Sequence, residues 1–144
     1  MGFETAVVVA IFFLSAMVLG TMAYVVISAS QDLVDDASYE QNDMQIKRLQ
    51  TDILIDSSIP GSGTPYDLTI TVSNTGSETL QSDELNVLVD GIIESYTFAP
   101  MTTTWTPDGT ITLTVAGLSG GGSHRVKVIT ENGISDYDTY SVSV

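Results

Sequence analysis

The chain has no cysteine among its 144 residues. A disulfide framework, a thiolate metal site, a cysteine nucleophile and a lipid-bearing cysteine are therefore excluded. The stability of any folded part must come from the packing of its core, because no covalent cross-link is available.

Basic residues are also scarce. Only 4 lysines and arginines stand against 18 aspartates and glutamates, which gives a formal net charge of −14 at pH 7. Nucleic-acid binding depends on clustered lysine and arginine against the phosphates, so nucleic acid is excluded as a partner. Acidic lipid headgroups are poor partners for the same reason.

Residues that carry catalysis are equally few. His124 is the only histidine, and without a second histidine or a cysteine it cannot form a typical zinc site. Gly117 to Gly121 match the pattern Gly-x-Ser-x-Gly, but they precede a predicted strand rather than a helix and so do not form a nucleophile elbow. The run Gly120-Gly121-Gly122 lacks the lysine that follows a phosphate-binding loop. We therefore expect no enzyme activity, no cofactor and no metal site.

Three pairs of acidic residues leave one alternative open. The pairs are Asp83 with Glu84, Asp90 with Glu94, and Asp136 with Asp138. Their carboxylates are suitable ligands for Ca²⁺, although none of the pairs has the spacing of an EF-hand loop. A solvated acidic surface is the simpler interpretation, and a divalent ion that bridges to another acidic protein is the alternative.

One long uncharged run dominates the N-terminal part. Thr5 to Ile27 are 23 residues without a charge, and as a helix they would extend about 35 Å, enough to cross a bilayer core of about 30 Å. We predict a transmembrane anchor over residues 1–28. The expected anchor residues are spread along the run: Thr5, Ala10, Phe12, Leu14, Leu19 and Ile27.

A cleaved signal peptide is the alternative to an anchor. Small residues at Ser28-Ala29-Ser30 could be a peptidase site. The run is longer than the apolar part of a signal peptide, however, and no basic residue precedes it. A leader of the type IV pilin kind would need a basic residue and a glycine before its cut, and only Met1 precedes Gly2.

The charge pattern says little about membrane orientation. The first basic residues, Lys47 and Arg48, lie at the edge of the range over which the positive-inside rule acts. We expect the short N-terminal end to stay inside and the long acidic part to lie outside. Glu4 stands at the membrane entry, where it either complements a helix dipole or, as in pilin-like subunits, neutralises a neighbour's amine during assembly.

Residues 29–50 are polar and contain neither glycine nor proline. We predict a stalk helix that continues the anchor. Leu33, Ala37 and Met44 lie near heptad spacing, so the stalk is either solvated on all sides or paired with a second chain along this seam.

From Thr51 onwards the hydrophobic period changes from helical to alternating. Leu68, Ile70 and Val72 alternate with hydroxyl residues, and Asp90-Gly91 is a strong hairpin signal. About seven short strands with turns between them predict an immunoglobulin-like β-sandwich over residues 51–144. The fold class is therefore mainly β, preceded by a long N-terminal α-helix.

The last predicted strand, from Ile134 to Val144, is a candidate interaction edge. An unpaired strand edge is a template for pairing with another chain. Its candidate interaction residues are Ile134, Asp136, Tyr140 and Val142. Asp136 and Asp138 could equally be charges that prevent such pairing.

Two segments of the chain carry a resemblance to a known family. Met1-Gly2-Phe3 leads directly into the hydrophobic helix, and His124 to Gly133 form a strand and turn near the C-terminus. With the acidic stalk, these features resemble the F/G family of archaeal flagellar (archaellum) proteins, and within it the F type.

The resemblance implies a membrane protein of the archaellum motor. Its β-sandwich would lie outside the cytoplasmic membrane, bind the surface (S-) layer protein and act as part of the stator. It also implies partners among F/G-type archaellum components and self-association into a homodimer or higher oligomer. A subunit that assembles through its hydrophobic helix, archaellin-like or pilin-like, is the alternative. The missing basic-glycine leader favours the anchor over this alternative.

Overall fold

The computed structural model describes residues 2–143, which form one helix and ten strands. The elements are α1 Gly2–Gln50, β1 Ile53–Pro60, β2 Tyr66–Asn74, β3 Leu80–Gln81, β4 Asn86–Val89, β5 Ile92–Glu94, β6 Tyr96–Ala99, β7 Thr104–Trp105, β8 Thr110–Leu118, β9 Gly122–Ile129 and β10 Ser135–Val142.

Helix α1 is continuous from the apolar run through the acidic segment. No proline interrupts it, and Glu4 in its first turn and Lys47 and Arg48 in its last turn complement the helix dipole. Within the apolar run, the hydroxyls of Ser15 and Thr21 donate hydrogen bonds to backbone carbonyl oxygens one turn earlier. These two polar groups therefore need no partner outside the helix.

The chain divides into two compact units, one up to Asp43 and one from Met44 onwards. The last turns of α1 belong to the second unit, together with all the strands. Residue boundaries at 28 and 50 for the anchor and the stalk stay predictions.

The strands from β1 to β10 build an immunoglobulin-like sandwich. One antiparallel sheet has the order β1-β2-β8-β6 and the other has the order β10-β9-β4-β5, with β3 and β7 as a separate two-stranded pair. When the eight strands of the two larger sheets are lettered A, B, C, C′, D, E, F and G along the chain, the orders become A-B-E-D and G-F-C-C′. This is the immunoglobulin arrangement, and the predicted fold class is confirmed.

The core lies between the two sheets and follows the alternation in the sequence. On β2, Leu68, Ile70 and Val72 are fully buried, while the threonines between them face outwards. Trp105 is 2% exposed, and its indole Nε1 donates a hydrogen bond to the carbonyl oxygen of Gly109 at 2.9 Å. Burial with a satisfied N–H is the usual condition of a core tryptophan.

The strand count exceeds the predicted seven for two reasons. The predicted strand from Ile92 to Phe98 is two strands, because β5 pairs with β4 and β6 pairs with β8 in the opposite sheet. In addition, β3 and β7 contain two residues each, too few to show an alternating pattern. The Asp90-Gly91 turn between β4 and β5 is confirmed.

The C-terminal end of α1 is fastened to the sandwich by the loop after β2. The N–H groups of Ser77 and Glu78 donate to the carbonyl oxygen of Gln50, and the N–H of Gly76 donates to the carbonyl oxygen of Asp52. A helix leaves its last carbonyls without internal partners, so these bonds complete the helix end. A Cβ atom on Gly76 would collide with the backbone of Gln50 and Asp52.

Candidate assembly surfaces

The apolar part of α1 carries a long run of exposed large apolar side chains. All six predicted anchor residues lie on it, and its large side chains are exposed, with Phe12 at 77% and Leu19 at 66%. This helix is long and apolar enough to cross a membrane. Side chains of this kind need a lipid or protein environment, because such an extended apolar surface is unfavourable in water.

Glu4 lies in the first turn of α1, and its side chain is exposed. A carboxylate there is favourable because the helix dipole places partial positive charge at this end. The position suits both interpretations of the sequence, capping of the helix and pairing with a neighbour's amine. The assembly role of Glu4 stays a prediction.

The edge of β10 is partly closed by the molecule itself. The carboxylate of Asp136 accepts a hydrogen bond at 2.8 Å from the N–H of Ile55 on β1, the edge strand of the opposite sheet. The side chains of Tyr140 and Val142 are buried in the core, and Ile134 is half-buried in the turn before β10. A partner at this edge would therefore meet backbone atoms rather than the side chains of Tyr140 and Val142.

His124 forms a polar and aromatic cluster that sequence reasoning missed. Its Nδ1 lies 2.7 Å from Oδ2 of Asp90, whose other oxygen accepts a hydrogen bond from the N–H of Arg125. The imidazole stacks on Tyr140, with ring centroids 5.5 Å apart. The tyrosine hydroxyls of Tyr140 and Tyr66 lie 3.2 Å apart. No local motif announces this cluster, because Asp90 and His124 are separated by 34 positions and meet only through the pairing of β4 with β9.

Hydrogen bonding and burial shift two pKa values in this cluster. The hydrogen bonds from His124 and from the N–H of Arg125 lower the pKa of Asp90 below its ordinary value of 3.8. Burial, followed by the hydrogen bond with Tyr66, raises the pKa of Tyr140. The cluster ties the β4–β5 turn to β9.

The acidic pairs do not gather into a metal site within the described part of the chain. No group of three or more histidine, aspartate or glutamate side chains there could hold a metal ion. Asp90 and Asp136 accept hydrogen bonds from the protein itself, and Asp138 accepts one from the N–H of Thr139.

The outer face of the sheet β10-β9-β4-β5 carries two of the four basic residues of the chain. Strand register places Ile93, Leu88, Lys127 and Tyr137 in one row across the four strands. The guanidinium of Arg125 lies 4.0 Å from the centre of the Tyr137 ring. We call these five residues the cationic face. Lys127 and Arg125 are close in sequence, but their aromatic and aliphatic neighbours come from three other strands and were not foreseen.

Comparison with known proteins identifies the family. The family model described as Archaeal-type flagellin matches residues 1–139. No curated protein matches the chain. The family consists of structural filament proteins and is not an enzyme family. Its match supports the link to the archaellum that the sequence suggested, and it does not extend to the F/G type. The match covers nearly the whole chain, which therefore belongs to the archaeal-type flagellin family.

Proposed function

We propose that this chain is a non-enzymatic filament subunit of the archaellum. Its helix α1 packs against the α1 helices of other copies in the filament core. Its immunoglobulin-like sandwich then lies on the filament surface. The observation that carries the proposal is the archaeal-type flagellin match over residues 1–139, a span that includes α1 and most of the sandwich. Sequence analysis ranked the stator first, and the family match reverses that order.

The exposed surface of α1 supports this proposal. No described residue of the chain covers the apolar side chains from Val7 to Ile27. An apolar helix surface of this length is stable either in lipid or against other apolar helices. A filament core built from α1 helices supplies the second environment without any further partner.

Membrane anchoring fits the same helix before assembly. In the proposed sequence of events, α1 crosses the cytoplasmic membrane once and holds the subunit there, with the sandwich outside the cell. Transfer into the filament then exchanges lipid contacts for helix contacts. Both environments are apolar, so the exchange leaves the apolar side chains out of water throughout.

The stator is the second candidate function. It is favoured by the length of the uncharged run, which matches a bilayer core and would allow α1 to remain in the membrane permanently. In that case the sandwich would bind the S-layer protein, with F/G-type archaellum components as further partners. The backbone edge of β10 would be the candidate contact.

Fractionation of sheared cells tests the proposal. Filaments are sheared from cells that produce the full chain with a C-terminal epitope tag, and the tag is quantified in the filament and membrane fractions. A filament subunit is enriched in the material released by shearing. When filament assembly is blocked, shearing should release no tagged chain. A chain that stays in the membrane fraction while filaments of normal length are released would contradict the proposal and favour the stator.

A further inference from the structure

The cationic face is an anomaly in a chain with a net charge of −14. Of the basic side chains in the sequence, Lys47 and Arg48 lie at the end of α1, and the other two are Arg125 and Lys127 on β9. Arg125 is exposed and Lys127 is half-buried. Because they are two residues apart on β9, the two cations of the sandwich lie at one site.

The apolar members of this face are exposed as well. Ile93 is 69% exposed and Tyr137 is 58% exposed. A row that combines exposed aliphatic, aromatic and basic side chains has the composition of a protein interface, in which aromatic residues and arginine are enriched. The groove beside the row is lined by Leu88, Arg125 and Lys127, and by Asp90 and Gly91 of the β4–β5 turn.

A matching acidic surface lies on the stalk part of α1. Asp32, Asp36 and Glu40 follow each other at intervals of four residues, and Asp35 lies on the same side of the helix. All four side chains are exposed. Like charges at this spacing destabilise a helix unless cations neutralise them.

Several carboxylates of the sandwich already have partners within the protein. Asp90 and Asp136 accept hydrogen bonds from backbone N–H groups, and so does Asp67 from Gly117. The four stalk carboxylates form no hydrogen bond or ion pair with any described residue. The stalk therefore presents four exposed carboxylates within nine residues, which a second copy of the chain could neutralise.

The spacings of the two surfaces also agree. Arg125 and Lys127 are two residues apart on a strand, which corresponds to about 6.7 Å. Asp32 and Asp36 are four residues apart on a helix, which corresponds to about 6 Å. Two neighbouring carboxylates of the stalk can thus face two neighbouring cations of the sheet.

We propose that the cationic face binds the acidic stalk segment, Asp32 to Glu40, of a neighbouring copy of the chain. Arg125 and Lys127 pair with the stalk carboxylates, while Leu88, Ile93 and Tyr137 pack beside the helix and exclude water. Surface ion pairs are individually weak, so the contact adds to assembly through α1 and does not replace it. This inference rests on the proposed assembly of copies.

Zero-length cross-linking tests the contact directly. A carbodiimide joins an amine to a carboxylate only when the two touch, and the sequence has only two lysines, Lys47 and Lys127. Full chain labelled with ¹⁴N and full chain labelled with ¹⁵N are mixed equally, reconstituted in lipid vesicles and cross-linked. Peptide mass spectrometry then separates links between copies from links within one copy.

We expect mixed-isotope peptide pairs that join Lys127 to Asp32, Asp35, Asp36 or Glu40. Arg125→Gln, which retains the reactive lysine, should lower the yield of these pairs at least fivefold. Thr112→Glu changes the net charge by the same amount on the outer face of the other sheet, and its yield should stay within twofold of the unsubstituted chain. Lys127→Arg should abolish the pairs while preserving the charge, which confirms their assignment.

Other outcomes would overturn the inference. Lys127 linked only within one copy, linked between copies only to carboxylates outside the stalk, or not linked at all would exclude this contact. Equal losses in Arg125→Gln and Thr112→Glu would show that net charge alone governs association. Shear fractionation uses no cross-linker, so a failure of the filament proposal and a failure of this contact are recognised separately.

Discussion

Single residues make the contacts that join the sandwich to the end of α1 and that join the β4–β5 turn to β9. At the helix end, Gly76 allows the loop after β2 to approach the backbone of Gln50 and Asp52. At the turn, Asp90 joins His124 and the backbone of Arg125. Both sites depend on short contacts between distant parts of the chain, so each can be tested by one substitution.

Gly76→Ala should destabilise the sandwich strongly. The added methyl group meets backbone atoms that cannot turn away, so the cost should approach the upper part of the overpacking range, about 3 kcal/mol. Trp105 is the only tryptophan, and its fluorescence during denaturant unfolding of the full chain in detergent reports on the sandwich alone.

Gly91→Ala is the matched control for this prediction. Gly91 has a φ of 88°, and a Cβ atom there would meet nothing within 4 Å. Its cost is backbone strain alone, about 1 kcal/mol. An equal loss of stability in the two variants would show that the close approach at Gly76 contributes nothing beyond the ordinary preference for glycine.

Asp90→Asn should change the acid sensitivity of the sandwich. The folded-state pKa of Asp90 is lowered by the hydrogen bond to His124 and by the N–H of Arg125. Its ionised form therefore stabilises the folded state above the ordinary pKa of 3.8, and this contribution is lost as the pH falls through the lower folded-state value. The unsubstituted chain should exceed Asp90→Asn in denaturation midpoint at pH 7.

The difference between these two proteins should shrink steadily below about pH 4, where the unfolded carboxyl begins to protonate. Measurement of both midpoints by Trp105 fluorescence from pH 7 to pH 2.5 checks the sign and the range. A difference that stays constant down to pH 2.5 would show that the charge of Asp90 contributes no stability.

At the scale of elements, some of the helices and strands can be predicted from local sequence patterns and others cannot. The 23-residue uncharged run and the alternation of Leu68, Ile70 and Val72 carry strong local periodicity, so helix and core were predictable. The separation of β5 from β6 was not, because it depends on which sheet each segment joins. The two-residue strands β3 and β7 exist only through their mutual pairing.

Val18→Asp in the apolar part of α1 should prevent both membrane retention and filament assembly. Val18 is 52% exposed near the middle of the uncharged run. An aspartate at the centre of a membrane helix costs about 3 kcal/mol by insertion measurements. The amounts of tagged chain in membranes and in sheared filaments give the result.

Val34→Asp is the matched control for the helix. Val34 is the same residue type in the same helix, is 61% exposed, and lies in the acidic stalk. Its variant should remain in the membrane at the level of the unsubstituted chain. Retention of Val18→Asp at that level would argue that the apolar run does not enter an apolar environment at all.

At the scale of the whole molecule, the sequence indicated an N-terminal apolar helix, a mainly β domain and a link to the archaellum. The structure and the family match confirm these points. Local patterns could not decide between stator and filament subunit, because both need an apolar helix followed by an outer domain. The cationic face could not be predicted from the sequence, because its row of side chains depends on the register of four strands.

The environment of α1 in the assembled state tests the central claim most directly. The chain has no cysteine, so Val18→Cys and Met101→Cys each introduce one thiol that a water-soluble maleimide can label. In purified sheared filaments, which are free of membrane, we predict that the thiol at 18 is protected until the filaments are denatured. The thiol at 101, on a side chain that is 91% exposed in the sandwich, should be labelled at once. Absence of the chain from the filaments, or rapid labelling of the thiol at 18 in intact filaments, would contradict a core formed by α1.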